Sequence, residues 1–386
     1  MEEILKKIES EYGTPVYVYF EKEIKNRIKN VMEVFEGINL IPTFALKANN
    51  NPALIKIMYE SGFGADIVTV GEYKGAEIAG VPKEKIVWNG NGKSKEDMKF
   101  LKDKIKYVNI DSFEEMELWK NIKTENIEFF LRVNPDVDAK THPHISTGLK
   151  KNKFGIPAVK LEEFMNKYND NRIKGIHFHI GSQITEISPF IDAFKIGLEI
   201  SKKYNFKKIN IGGGWGINYD GKEINLNEYK EKVIPILKYY DEVILELGRY
   251  IMGPSGILLL NITRVKQGID KVFVVTNGGM NLLIRPVLYN AYHEPVFLNP
   301  TGKKAKIDIV GPLCESGDKL LWDKELPIPE ENSLVYFKNA GAYGFSMSNN
   351  YNSTLKPAEV LITENEEIKL IRKRESYEDL YKNIIL

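Results

Sequence analysis

A lysine closes the apolar run Pro42-Thr-Phe-Ala-Leu-Lys-Ala-Asn-Asn50, and the chemistry of the chain is read first from this Lys47. Its ammonium group has two readings. The stem can pack while the head snorkels to water, or partial desolvation at a strand end can favour the neutral amine and make it a nucleophile toward a carbonyl. Glu246, arriving after Val243-Ile-Leu245, poses a similar choice, because a carboxylate in an apolar strand needs a partner. Arg249 stands three residues on. The two make either a structural ion pair, or a carboxylate that keeps a proton on a heterocyclic nitrogen beside a fork for phosphate or carboxylate.

Other groups have the same double character. His177 and His179 alternate, so both rings would face one side of a strand; His179, nearer the end, suits ring stacking, and His177 suits a satisfied core position. A zinc site would have to recruit His142 and His144 as well, and no metal is expected. The run Gly212-Gly213-Gly214 is either a tight turn or a place where backbone N–H groups approach a phosphate. Cys314 and Glu315 stand in a turn-like polar run where a thiol can act as an acid, although a sole cysteine is often a small buried hydrophobe. Arg285 and Tyr289 share a face if their segment is helical, to grip a carboxylate or to pack as cation and ring.

The elements that would carry these groups form a regular series. Strand candidates run Leu40–Ala48, Ala65–Val70, Lys85–Asn89, Tyr107–Asp111, Glu128–Asn134, Gly175–Gly181, Lys208–Gly213 and Val243–Gly248, separated by amphipathic stretches. Ser94 with Asp97, and Ser112 with Glu115, have the spacing of helix starts. Strands alternating with helices in this number predict a (β/α)8 TIM barrel, an α/β fold whose sites gather at the C-terminal strand ends. Beyond about residue 250 the texture becomes β-rich, at Ile257–Val265, Lys271–Thr276, Ala305–Val310, Ser333–Lys338 and Ala358–Ile362. That predicts a C-terminal antiparallel β domain, which the N-terminal strand Pro15–Tyr19 joins. The expected domains are a barrel over 22–250, and a β domain over 1–21 plus 251–386.

Composition narrows the class. Lys+Arg of 54 against Asp+Glu of 53 leaves a net charge of +1, so no global field draws the chain to nucleic acid or an anionic membrane. The charged N-terminus MEEILKKIESEYG has no apolar signal segment, and no apolar run approaches membrane-spanning length. One cysteine rules out an intramolecular disulfide. A cytoplasmic protein is expected. Glutamine occurs only at Gln183 and Gln267 while Lys, Glu and Ile abound, a bias shared by thermophilic proteins and by low-GC genomes.

The order of motifs is more specific than any one of them. FALKAN (44–49), HPHISTGLKKNKFGI (142–156), HFHIGSQI (177–184), NIGGGWG (210–216), ELGRYI (246–251), IRPVLYNAYH (284–293), GPLCESGD (311–318) and GAYGFSMSNNYN (341–352) follow one another over nearly the whole chain. In this the chain resembles the fold-type III pyridoxal phosphate enzymes, alanine-racemase-like barrels with a β domain, and among them the diaminopimelate decarboxylase family. The resemblance implies that Lys47 is the Schiff-base lysine, that His179 stacks on the cofactor ring, and that Glu246 pairs with the pyridine nitrogen. It implies that Ser182 and Gly212, Gly213 and Gly214 bind phosphate with Arg249, that Asp66 and Gly248 also contact the cofactor, and that Arg249 also meets substrate. Arg285 and Tyr289 would take the far carboxylate of an amino-acid substrate and Glu315 its ammonium group. Cys314 would be the proton donor, and Tyr343 would touch cofactor and substrate. Cys314 and Glu315 would enter from a second subunit, which implies a homodimer with a shared site.

The activity so implied is decarboxylation of meso-diaminopimelate at its D centre to L-lysine. Two positions depart from the usual pattern, Leu247 where proline is usual and Phe44 where tyrosine is usual; both charged groups of the Glu246 motif are retained. A decarboxylase of carboxynorspermidine, or one of ornithine or arginine type, shares the cofactor chemistry, but an ornithine-type substrate has no far carboxylate for Arg285 and Tyr289. A racemase tends to set arginine where Glu246 stands. A non-catalytic pyridoxal phosphate carrier lacks the domain that holds Cys314, Glu315 and Tyr343.

Overall fold

The computed structural model describes residues 1–124, 126–138 and 153–386. The chain forms two compact units, Asn26–Asn218 with Lys222–Tyr250, and Met1–Lys25 with Tyr219–Gly221 and Ile251–Leu386. A helix at Glu2–Tyr12 and strand β1 (Val16–Phe20) open the chain and belong to the latter unit.

The other unit is built on β2 (Leu40–Ala45), β3 (Gly64–Ile67), β4 (Ile86–Trp88), β5 (Tyr107–Ile110), β6 (Glu128–Asn134), the two-residue β7 (Ile156–Pro157), β8 (Ile173–His177), β9 (Lys208–Asn210) and β10 (Glu242–Leu247). The strand order is β5-β4-β3-β2-β10-β9-β8-β6, and β5 also pairs with β6, so eight strands close a barrel; β7 only extends the end of β6. Every pairing in it is parallel. Strands covered on both faces read as apolar runs, and Val87, Tyr107, Phe130 and Ile244 meet in one buried cluster. Ser94 Oγ accepts from the Asp97 amide at 3.1 Å, and Ser112 Oγ from the Glu115 amide at 3.2 Å. Both helices thus start where their capping spacing predicts.

Four strands stop three or four residues before their apolar runs do. β2 stops at Ala45, β3 at Ile67, β8 at His177 and β9 at Asn210, which leaves Lys47, His179 and the glycine run in the segments beyond. Residue type marks where burial ends, whereas the ladder ends where the backbone turns away, as at Gly212 with φ 61°. His177 and His179 are therefore not two positions of a single strand.

After the barrel come β11 (Gly256–Gln267), β12 (Val272–Thr276), β13 (Pro295–Phe297), β14 (Pro300–Val310), β15 (Lys319–Pro329), β16 (Leu334–Phe337), β17 (Ala358–Ile362) and β18 (Ile368–Arg372). Their sheet runs β15-β14-β12-β11-β1-β17-β18, with β16 bonded to β11 and β13. The N-terminal strand does join it, but the expected antiparallel sheet is mixed. β1 lies parallel to β17, and β12 lies parallel to β14. Neither pair is joined by a hairpin, so no tight turn dictates an antiparallel partner. Val16 and Val18 of β1 pack with Leu5 and Ile8 of the first helix and with Ile257, Leu259 and Val360, each valine contributing roughly 1.5–3 kcal/mol. On the other face Tyr17 donates to the Leu282 carbonyl at 2.5 Å and Tyr19 to Glu359 at 2.7 Å.

Candidate active site

Glu246, near the end of β10, is 5% exposed. Its Oε1 accepts three amide N–H bonds, from Asn89 at 2.8 Å, Asn109 at 2.9 Å and Asn210 at 2.6 Å. Oε2 lies 3.4 Å from His177 Nε2. Burial alone would push this carboxyl up; the His177 ring and the amides outweigh it and hold the group well below the usual carboxylate range. Burial in turn lowers His177.

Lys47 sits in the turn after β2 and is exposed. It is not the partly desolvated amine at the end of an apolar strand that the sequence suggests. Carboxylates and a ring surround it instead: its charge acts on Asp66, Glu72 and His179. Asp66, at the β3 end, is 1% exposed. Its Oδ1 accepts from Asn89 at 2.6 Å, while buried Oδ2 has no hydrogen-bond partner. Burial, and then the Glu246 charge, push Asp66 well above the usual range. Gly248 brings the β10 end against this turn: a Cβ there would lie 2.8 Å from the Ala48 Cβ and 3.3 Å from the Ala45 Cβ.

Beyond β8 and β9 the backbone is equally close. A Cβ on Gly213 would meet the Glu246 carbonyl oxygen at 1.9 Å, and one on Gly214 the Gly181 oxygen at 2.4 Å. Side chains are thus excluded from the run by neighbouring backbone, as a tight turn requires. The Gly212 amide donates to Asn210 at 2.9 Å and the Gly213 amide to His179 Nδ1 at 3.3 Å. That bond places the His179 proton on Nε2. Burial, and then the Lys47 charge, hold His179 well below its ordinary value, so the ring is neutral. Arg249, 6% exposed, donates to Ser182 Oγ from Nε at 3.3 Å and from Nη2 at 3.0 Å.

The remaining candidates belong to the β-rich unit. Arg285 begins a single helical turn, Arg285–Tyr289, and is 4% exposed; Tyr289 at its end is half-buried. Arg285 Nη1 donates to Tyr219 Oη and to His293 Nε2, both at 2.8 Å. The ring that faces its guanidinium is Tyr219, 4.9 Å to the centroid. In the loop 311–318, buried Asp318 accepts from the Met280 amide at 2.7 Å and the Leu313 amide at 2.8 Å. That leaves Cys314, a free thiol, and Glu315 exposed. A hydrogen bond to Glu315 raises the hydroxyl of Tyr351. Both residues line a cleft of about 340 Å³ with Met280, Asn281, Ile284 and Asn349. Tyr343 has φ 58°, an uncommon left-handed conformation for a bulky residue that marks stored strain. Residues 142–152 of the HPHISTGLKKNKFGI motif, with His142 and His144, lie outside the described residues.

Residues 21–253 match the family model for the pyridoxal-dependent decarboxylase, pyridoxal binding domain. The diaminopimelate decarboxylase of Aquifex aeolicus is 40% identical over 97% of this chain and 92% of its own length; that of Campylobacter jejuni is 38% identical over 97% and 96%. The crystal structure of diaminopimelate decarboxylase from Helicobacter pylori complexed with L-lysine superposes with a TM-score of 0.91, at 36% identity and 98% of both chains. This chain belongs to the diaminopimelate decarboxylase family.

As a member of the family it is a lyase whose cofactor is pyridoxal phosphate. The barrel residues fit that group. Asp66 Oδ2 is a buried acceptor without a partner, Glu246 is an ionised carboxylate, Lys47 is an accessible amine, and Arg249 with Ser182 forms a donor pair. No helix among the described residues is long and apolar enough to cross a membrane. The sequence reading missed Asn89, Asn109 and Asn210 as a set, and also Tyr219, His293 and Asp318. A signal existed for two of the asparagines. Asn109 and Asn210 each interrupt an apolar strand, where an unpaired amide is costly.

Proposed function

We propose that this chain decarboxylates meso-2,6-diaminopimelate at its D centre, releasing CO2 and L-lysine, the last step of lysine biosynthesis. The observation that carries this is Glu246, an ionised carboxylate on the barrel rim that also presents Lys47. An acceptor of this kind keeps a pyridine nitrogen protonated, which decarboxylation needs. The near-full-length likeness to diaminopimelate decarboxylases, one of them complexed with L-lysine, supports the choice of substrate.

When bound, pyridoxal phosphate supplies an electron sink for the pair left behind as CO2 departs. Lys47 Nζ would anchor the cofactor. Glu246 would hold a proton at its ring nitrogen, with Asp66 beside it, and His179 would cover the ring face as a neutral imidazole. Arg249, Ser182 and the run Gly212–Gly214 would hold the phosphate, and Gly248 lets the β10 end lie close to the lysine turn. At the substrate, Arg285 and Tyr289 bind the far carboxylate, Glu315 the far ammonium, and Arg249 and Tyr343 the reacting end. Cys314 Sγ would hold the proton destined for Cα. The buried guanidinium of Arg285, held by two partners, supports its role as a rigid fork.

The minimal active unit in this reading is a cytoplasmic homodimer in which Cys314 and Glu315 serve the partner's barrel. Their exposure supports that role. Borohydride reduction of the holoenzyme tests the anchor. A stable adduct on the Lys47 peptide, absent from Lys47→Ala, is expected; an adduct on another lysine sinks the assignment.

A further inference from the structure

The three amides on Glu246 also bond one another. Asn89, at 6% exposed, follows β4; Asn109, at 1%, lies in β5; and Asn210, at 0%, ends β9. Asn210 donates to Asn109 Oδ1 at 3.3 Å, and Asn109 donates to Asn89 Oδ1 at 2.7 Å. Asn89 donates to Asp66 Oδ1 at 2.6 Å. At the other end the Gly212 amide donates to Asn210 Oδ1 at 2.9 Å. Each amide nitrogen therefore splits its two hydrogens between the next member and Glu246 Oε1.

The direction of the chain is determined by its ends. Gly212 N–H can only donate, so Asn210 must face it with oxygen and turn its nitrogen inward. Asn109 and Asn89 must then do the same. Flipping any one of them would set a carbonyl oxygen against the carboxylate. The last acceptor is the carboxyl oxygen of Asp66. The whole chain crosses the barrel interior between strands that pair in a closed ring.

Three donors crowd one oxygen of a carboxylate that has about four acceptor sites over both oxygens. Oε2 has only His177 Nε2 near it, at 3.4 Å, and keeps capacity for a directional partner. We propose that Asn89, Asn109 and Asn210 are positioning residues that fill Glu246 Oε1, reserve Oε2 for the ring nitrogen of pyridoxal phosphate, and tie that orientation to the glycine run at Gly212. This rests on Glu246 being the partner of the ring nitrogen. The ladder links the two ends of the cofactor site through side chains alone: a shift of the glycine run moves Asn210, and through it the carboxylate.

The test uses full-length protein loaded with pyridoxal phosphate and reads three quantities. These are the dissociation constant of the cofactor, the pH midpoint of its absorbance change, and the melting temperature of the protein without it. Asn109→Ala removes a donor to a charged acceptor and is expected to weaken cofactor binding about tenfold. It also moves the absorbance midpoint to lower pH, because the ring proton loses a well-aimed partner. Asn109→Asp keeps the volume and carries the test if the alanine variant does not fold. Its new carboxyl faces Oε1 and can donate only when protonated, so wild-type affinity and spectrum are expected to return on acidification, which alanine cannot reproduce. A merely structural role predicts lower melting temperatures with an unmoved midpoint and no acid rescue, and that result overturns the proposal. Glu246→Gln separates the two claims. If it shifts the midpoint while both Asn109 variants leave it in place, the ladder fails and the Glu246 assignment stands. If Glu246→Gln itself leaves the spectrum unchanged, both fail.

Discussion

Arg285 Nη1 lies 2.8 Å from His293 Nε2, and His293 Nδ1 lies 2.9 Å from the Lys338 carbonyl oxygen. A carbonyl only accepts, so Nδ1 carries the proton and Nε2 offers its lone pair to the guanidinium. Buried His293, 0% exposed, is thereby kept in one tautomer and aims the arginine proposed to read the far carboxylate.

Replacing that acceptor should loosen substrate more than chemistry. His293→Phe is expected to raise KM for diaminopimelate about tenfold or more, on the order of 1.5–3 kcal/mol for a hydrogen bond to a charged group. The change in kcat should be smaller, and affinity for pyridoxal phosphate should not change. Steady-state kinetics with a cofactor titration check this; a loss confined to kcat would count against it.

The neutral histidines of the barrel make the protein acid-sensitive. Unfolded histidine takes up a proton below about pH 6.5, whereas folded His179 is held well below that value by burial and by Lys47. The unfolded state therefore binds more protons as pH falls. Stability present above pH 6.5 drains away below it, by at most about 2 kcal/mol at pH 5 for this one group. Melting curves of the protein without cofactor at pH 7 and pH 5 should show a fall that is smaller in His179→Gln. Equal falls in both proteins would exclude His179 as the source.

The shared-site dimer predicts complementation. Lys47→Ala and Cys314→Ala should each be nearly inactive as purified proteins. In mixed dimers one site combines an intact lysine with an intact cysteine from the partner, so unfolding and refolding an equal mixture should restore about a quarter of wild-type activity under random two-fold pairing. No recovery despite confirmed mixed dimers would put Lys47 and Cys314 of a single site on one chain.

Much of this was legible in the sequence because barrel enzymes concentrate polar residues at strand ends. Lys47, Asp66, Glu246 and Arg249 each interrupt or close an apolar run, and the closed parallel barrel follows from the alternation that surrounds them. What escaped depends on pairings between distant segments. Asn89, Asn109 and Asn210 make sense only when β4, β5 and β9 face a common interior. Tyr219 and His293 are 66 and eight residues from Arg285 in sequence and meet it only in the fold. The direction of β1 against β17 was equally hidden, because alternation records which face is buried and not which way a neighbour runs. Lys47 stands exposed in a turn rather than desolvated at the end of a strand, and its neighbours Asp66, Glu72 and His179 come together with it only in the fold.

The central claim is the reaction, and CO2 release measured side by side from meso-diaminopimelate, ornithine, arginine, L-lysine and carboxynorspermidine tests it most directly. Release from meso-diaminopimelate with equimolar L-lysine as product, dependent on added pyridoxal phosphate, abolished in Lys47→Ala, and at least a hundredfold faster than from ornithine, is the predicted result. Rapid release from one of the other substrates with none from meso-diaminopimelate would contradict it.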